Sequence, residues 1–326
     1  MKVVGSEGGP EGRRTRCLAG IDEAGLGPTL GPLVFGVALF RVPSECRDLF
    51  AALTGIVART ASALPEKLAI DDSKRLFSGR KDLAPLELAA LATLTPDRTM
   101  PRSLEEIAGR DSAPSWPRWY GGDPAATVPV ACDEGQVAGW RERWPRELAA
   151  RGIEPLDVRV RPVLEAELNH CFATGLNKAE AVLTRIAPLL RQVADRAAPD
   201  DIEIVVDRLG GRWYYSDFLR ATFPMRSLTI LEERADRSAY SIADGARTIR
   251  VSFEVGADGR HLPVALASLC AKYVRELFMR RLNSHFGALD PRLAPTAGYP
   301  EDARRWLRDA RDLYADAERT ALVRER

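Results

Sequence analysis

The sequence predicts an α/β layer fold, a mixed β-sheet flanked by helices. Three observations point to it. Two apolar, partly β-branched runs, 17–22 and 32–42, read as strands buried on both faces and joined by a glycine turn. From residue 157 onward, strand-like runs alternate with helical patterns. A long helical pattern spans about 263–285, with Pro263 in its first turn.

The elements follow in order. Residues 1–16 are Gly-rich and charged and read as a flexible tail. Residues 66–94 hold Asp71-Asp72-Ser73-Lys74 and then a Leu- and Ala-rich helical pattern. Residues 95–150 differ in composition: prolines recur, and Trp116, Trp119, Trp140 and Trp144 are four of the six tryptophans, which suggests an insertion or lid. Residues 157–164 read as a strand. Asn177 and Glu180 have capping-box spacing, ahead of a helix with Val182, Ile186, Leu190 and Val193 on one face and Pro188 marking a kink. Residues 202–206 form a short buried strand ending in Asp207, and a helix is expected over 212–222. Strand candidates at 227–233 and 247–255 are joined by an Ala/Asp/Gly link. After the long helix, 295–300 is a turn, followed by an Arg-rich amphipathic helix carrying Trp306, Ala310, Leu313 and Ala317.

Composition narrows the function. The chain has 326 residues, 45% hydrophobic and 29% charged, enough for a substantial core. No stretch is long and apolar enough to span a bilayer, and no apolar signal core precedes the first strand, so no membrane partner is expected. The five cysteines, Cys17, Cys46, Cys132, Cys171 and Cys270, lack metal-ligand spacing and read as reduced thiols of a cytoplasmic protein. Three histidines argue against a zinc site or a His-based triad. A net charge of +1 neither supports nor excludes nucleic acid, since a local basic face suffices to bind phosphate. Six lysines stand against 41 arginines, so the placement of Lys74 and Lys272 carries some information.

Candidate chemistry sits at strand ends. Asp22 and Glu23 close the first strand just before Gly25-Leu26-Gly27-Pro28; they are either a pair of surface acids or the start of a divalent-metal site. Both can serve one site only if the strand is already turning there, because neighbours in a regular strand point to opposite faces. Asp207 ends a buried strand, where ligands collect in open α/β sheets, or else simply begins a turn. Asp258 lies between a strand and the long helix. On that helix Ser268, Lys272 and Arg275 share one side, fit either to hold a phosphate or to balance nearby acids. Asp72 or Ser73 caps a helix, or Lys74 faces a phosphate.

Taken together, Gly20-Ile21-Asp22-Glu23-Ala24-Gly25-x-Gly27-Pro28, Asp72-Ser73-Lys74, Val206-Asp207, Ala257-Asp258, Ala267-Ser268-x-x-Ala271-Lys272-x-x-Arg275 and Gly298-Tyr299-Pro300 resemble the type 2 ribonucleases H, the ribonuclease HII group, in that family's order. The resemblance implies an RNase H-like catalytic domain over 17–286, with the insertion at about 95–150 and a C-terminal helical segment at 287–326. It implies Mg²⁺ or Mn²⁺, two ions with substrate, held by Asp22, Glu23, Asp207 and Asp258. It implies cleavage of RNA–DNA hybrids, or of duplex DNA with an embedded ribonucleotide, on the 5′ side of the ribonucleotide. Substrate contacts are implied at Gly25, Leu26, Gly27, Ser73, Lys74, Ser268, Lys272, Arg275 and, as the junction-reading tyrosine, Tyr299. A monomer is favoured.

Two departures stand out. The family's Gly-Arg-Gly turn is Gly25-Leu26-Gly27 here, which keeps the turn and loses a cation. The stretch from Asp207 to Asp258 is long, as if by an added hairpin, so Asp236 rivals Asp258 as the fourth acid. The insertion's tryptophans are expected to pack the lid onto its own domain, the alternative being that they stack on bases or clamp a duplex. Two other readings remain: an RNase H-like nuclease acting on another structure such as branched DNA, and a non-catalytic nucleic-acid-binding protein that uses the fold as a platform, as the long insertion permits.

Overall fold

A computed structural model describes residues 14–61, 64, 66–72, 76, 82–94, 99–109, 116–121 and 127–325. The predicted tail, apart from residues 14–16, lies outside the described residues, as do Ser73 and Lys74.

Nine strands are described: β1 (Thr15–Ala24), β2 (Leu33–Pro43), β3 (Val57–Ala58), β4 (Leu68–Ala69), β5 (Glu154–Val163), β6 (Ile202–Asp207), β7 (Leu228–Glu233), β8 (Arg237–Asp244) and β9 (Arg247–Glu254). Seven of them form one mixed sheet in the order β5-β2-β1-β6-β9-β8-β7, while β3 and β4 pair separately. At the centre, β1, β6 and β9 run parallel; β2, β5, β7 and β8 join antiparallel. This is the α/β architecture read from the sequence.

Each face of the sheet has its own core. Leu18, Ala24, Val34 and Ala38 pack under the long helix (Leu262–Leu289). Cys17, Ile21, Phe35, Val37, Ile204 and Val206 pack against the helix Lys178–Ala197, whose buried stripe includes Val182, Ile186, Leu190 and Val193. That helix opens on the Asn177–Glu180 capping box and runs through Pro188 as one element. Two glycines let the long helix lie directly on the sheet. A Cβ on Gly20 would stand 2.2 Å from the Val264 nitrogen, and one on Gly36 1.9 Å from the Ala267 carbonyl. No other residue fits there without moving the helix.

Several elements differ from expectation. The link between the predicted strands at 227–233 and 247–255 contains a full strand, β8, whose short serines and alanines masked its alternation. The helix expected over 212–222 starts only at Ser216, and Tyr215 just before it is stacked at 3.7 Å on Phe253. The Arg-rich helix ends at Asp309, and Leu313 and Ala317 lie in separate 3₁₀ turns. The described parts of 95–150 pack onto the rest of the domain, as expected of the tryptophans. They pack on the outer side of the long helix, with Trp116 at 4.8 Å from Phe278 and Trp119 at 6.0 Å from Phe286. Trp119, Trp140 and Trp144 are buried in that core, so they are closed to stacking on bases. The C-terminal segment joins the same core through Trp306, at 4.9 Å from Phe286. Among the described residues, no helix is long and apolar enough to cross a membrane.

Candidate active site

Strand register brings the acids together. Ile21 pairs with Val206 between the parallel strands β1 and β6, so Asp22 follows abreast of Asp207 at the carboxyl ends of both. Ile21 and Val206 face the Lys178–Ala197 side, so by alternation Asp22 and Asp207 face the long helix. Asp22 pairs across β2 with Gly36, the glycine lying under Ala267, which agrees with this. Asp258 comes from the opposite direction, in the short 3₁₀ turn Ala257–Gly259 that leads into the long helix. That turn is fastened to β6, since the Asp207 carboxylate accepts the Ala257 N–H at 2.8 Å.

Glu23 reaches the cluster differently from the expectation. The strand does not turn at residues 22–23: β1 keeps an unbroken register with β2 through Ala24. Glu23 therefore points to the other face, toward the side of Tyr215. It still senses the cluster because the pairing of β1 with β6 stops at Ile21, leaving the sheet end open between the two faces.

Burial and neighbouring charge act together on these acids. Asp22 is only 6% exposed. Burial, then the charge of Asp207, and more weakly that of Asp258, push its carboxyl up to about 8, against hydrogen bonds from the Ser268 hydroxyl and the Glu23 N–H. Glu23 is raised well above the usual carboxylate range by burial and then by Asp22 and Asp207. Asp236, the rival fourth acid, lies in the β7–β8 turn with a side chain 76% exposed, 3.9 Å from Arg234. Among the described residues, no three His, Cys, Asp or Glu side chains stand closely enough to make a ready-made metal cage. The four acids are linked through charge.

A fifth strand-end acid, Glu254, was not singled out from the sequence, although it ends β9 as Asp207 ends β6. It accepts hydrogen bonds from Arg237 (3.0 Å), Arg260 (2.9 Å) and Ser252 (3.0 Å) and contacts His261 at 3.1 Å. Burial raises its carboxyl, but His261 and Arg237 outweigh that and bring it to about 2. This acid is already neutralised by protein cations.

The expected substrate contacts divide. Ser268 is 2% exposed and serves Asp22. Lys272 is half-buried on the same helix. Arg275 is turned inward under the glycine turn. It is 5% exposed, and its guanidinium donates to the Ala297 carbonyl at 3.1 Å and the Leu30 carbonyl at 3.4 Å. A Cβ on Gly25, where φ is +90°, would stand 2.6 Å from its Nε, so the glycine turn rests on Arg275. Gly27 is exposed at the crest and Leu26 is half-buried. Tyr299 is 56% exposed, its ring centre 5.9 Å from the Arg275 guanidinium carbon. The Gly298 carbonyl takes the Thr29 N–H at 2.8 Å and the Leu30 N–H at 3.2 Å, which ties the tyrosine to the glycine turn. A cavity of about 570 Å³ between the insertion and the long helix, lined by Leu104, Leu277, Arg281 and His285 among others, contains none of the four acids.

Comparison with known proteins identifies the family. A family-wide sequence profile described as Ribonuclease HII matches residues 150–324, more than half of the chain. The chain belongs to the ribonuclease HII family. It is accordingly a type 2 ribonuclease H-like hydrolase. Asp207 and Asp258 lie inside the matched segment, Asp22 and Glu23 before it. Among solved structures, this ribonuclease HII is similar to the ribonuclease H2 of Pyrococcus horikoshii OT3, 18% identical, TM-score 0.41, covering 92% of this chain and 89% of that one. The RNase HII of Archaeoglobus fulgidus, solved as a complex with PCNA, is 18% identical, TM-score 0.41, covering 95% and 94%. Bst-RNase HIII, solved with Mn²⁺, is 16% identical, TM-score 0.41, covering 96% of this chain and 68% of that one. No curated protein sequence matches significantly.

Proposed function

We propose that this ribonuclease HII is a divalent-metal-dependent endonuclease that cuts the RNA strand of RNA–DNA hybrids, or single ribonucleotides embedded in duplex DNA, on the 5′ side of the ribonucleotide. The observation that carries this reading is the buried Asp22, pressed from one side by Asp207 and from another by Asp258, with burial disfavouring its ionised form. A same-sign cluster of this kind is stable when ionised only beside a cation.

The donor set suits Mg²⁺ or Mn²⁺: hard carboxylate oxygens with no thiolate or imidazole among them. Asp22, Asp207 and Asp258, on the long-helix face, would hold the principal ion, and Glu23, from the other face, a second ion or the attacking water. The ions would activate a water and stabilise the leaving 3′-oxygen. The chain's own residues do the rest. Ser268 orients the Asp22 carboxylate, and the Ala257 N–H orients Asp207. The Gly25–Gly27 turn offers backbone to the ribose, and Tyr299 offers an exposed ring to the junction sugar. Lys272 and Lys74 hold backbone phosphates, Lys74 on the family resemblance alone.

The test is cleavage of one duplex sequence with and without a single ribonucleotide, in Mg²⁺, Mn²⁺ or EDTA, with the cut mapped. A metal-dependent cut 5′ to the ribonucleotide supports the reading. Equal cutting of the all-DNA duplex favours a nuclease that no longer reads the 2′-hydroxyl, the outcome Leu26 makes worth testing. Binding without turnover in either metal overturns the enzyme assignment.

A further inference from the structure

The backbone of the glycine turn is gripped from below by a residue outside every motif. Arg324 is 4% exposed. Its Nη1 donates to the Gly25 carbonyl and its Nη2 to the Gly31 carbonyl, nearly three hundred residues away in sequence. Its own N–H donates to the Thr29 carbonyl at 2.9 Å, and Val323 bridges to Leu30. The segment carrying Arg324 is fixed by the buried Asn169, which donates to the Thr320 carbonyl at 2.8 Å and the Val323 carbonyl at 2.7 Å and accepts the Glu325 N–H at 2.9 Å. Glu165, fully buried, accepts the Gly31 N–H at 2.8 Å and the Tyr120 hydroxyl at 2.6 Å, and lies within electrostatic reach of Arg324. A planar fork holds two carbonyls at a fixed spacing, whereas an ammonium has three donors on a flexible stem and fixes no such spacing.

This grip has a stereochemical consequence. In a trans peptide the carbonyl and the following N–H point in opposite directions. The Gly25–Leu26 peptide is trans, since the cis bonds among the described residues are Val128–Pro129 and Ala198–Pro199. With the Gly25 oxygen drawn inward to Arg324, the Leu26 N–H must point outward, to the side where Gly27 is exposed. No acceptor among the described residues takes that N–H. The peptide needs such a lock, because Gly25 at φ +90° has no side chain to hold its orientation.

We propose that Arg324 is a positioning residue for cleavage: it locks the Gly25–Leu26 peptide so that the Leu26 N–H donates to a ribose oxygen of the bound ribonucleotide. This rests on the proposed nuclease reading, and its test separates the two. Arg324→Lys and Arg324→Met are compared with the unmodified chain by turnover, by KM on a duplex with one ribonucleotide, and by thermal unfolding. ¹⁵N-leucine spectra are followed as the same duplex is added in Ca²⁺, with Leu26→Met identifying the Leu26 signal. The expected result for Arg324→Met is a fall in kcat of about tenfold to a hundredfold with KM within about threefold. Arg324→Lys should lie between the two, and the Leu26 amide should move downfield on binding in the unmodified chain but not in Arg324→Met. A folded Arg324→Met protein with unchanged kcat, or a Leu26 amide that shifts equally in both, overturns the proposal. If the unmodified chain cuts nothing, the nuclease reading fails on its own, and the amide shift still decides the role of Arg324.

Discussion

Two groups of buried charge flank the end of β1, and they are built on opposite plans. On the long-helix side, Asp22, Asp207 and Asp258 repel one another, and Asp22 is raised to about 8. Beneath the turn that follows, Arg324 and Arg275 donate to backbone carbonyls while Glu165 collects a backbone N–H and a tyrosine hydroxyl. The second group mixes signs and closes its hydrogen bonds inside the protein, which makes a rigid support. The first group gathers carboxylates of one sign. Glu254, wrapped by two arginines and His261, shows that this chain can neutralise a strand-end acid when nothing further is asked of it. The difference separates the proposed cation-binding acids from the support under the glycine turn.

If that contrast is real, removing charge should have opposite effects on the two groups. Asp22→Asn should lower cleavage by about a thousandfold or more while leaving duplex binding in place, measured by single-turnover assay and by gel shift in Ca²⁺. The same change should stabilise the protein at alkaline pH. In the fold Asp22 keeps its proton up to about pH 8, whereas in the unfolded chain it releases it near its ordinary value of 3.8. Between those values the folded state binds the extra proton, so this contribution is fully present below about pH 4 and is lost as pH rises through about 8. Melting temperature measured in EDTA should therefore fall across that window in the unmodified chain, by an amount worth several kcal/mol, and less steeply in Asp22→Asn. A pH slope shared by both proteins would mean that Asp22 is not the strained group.

Glu165→Gln should act the other way. It removes the Glu165 anion under the turn and leaves the buried Arg324 and Arg275 guanidiniums repelling each other, so urea unfolding should show a loss of about 2–4 kcal/mol. Burial holds the Glu165 carboxyl above its usual range despite the Tyr120 hydrogen bond and the Arg324 charge. The support is therefore costly to build as well as rigid. A stabilised Glu165→Gln protein would erase the contrast.

How much of this was legible in the sequence follows from what each feature depends on. The buried strands and the Asn177 cap depend on neighbours in the chain, and local pattern shows them. Asp22 and Asp207 end apolar strands, and parallel register does the rest. The regular geometry at Glu23 was missed because glycines at residues 25 and 27 look as though they bend the strand earlier than they do. β8 was missed because Ser238, Ala239 and Ser241 are small. Arg275 stands in a motif, but whether it points at solvent or under a turn depends on Gly25 and Gly298, far away in sequence. Arg324 had no local signal: it is one arginine among 41, and its meaning comes only from the fold that returns it to Gly25.

The finest test concerns the two candidates for the fourth acid. Sequence spacing left Asp258 and Asp236 both in play. Asp258 acts on the buried Asp22, whereas Asp236 projects from the β7–β8 turn into solvent beside Arg234. Asp258→Asn should therefore lower metal-dependent cleavage by about tenfold to a hundredfold, and should also ease the alkaline loss of stability, because one of the charges raising Asp22 is gone. Asp236→Asn removes the same charge from the chain at a place where solvent screens it and its ion pair with Arg234 is long, at 3.9 Å. It should change cleavage by less than about twofold and stability by less than about 0.5 kcal/mol. The paired assay is informative because both variants lose one unit of negative charge. An equal effect from each would mean that net charge near the substrate matters, and that no particular carboxylate completes the cluster around Asp22.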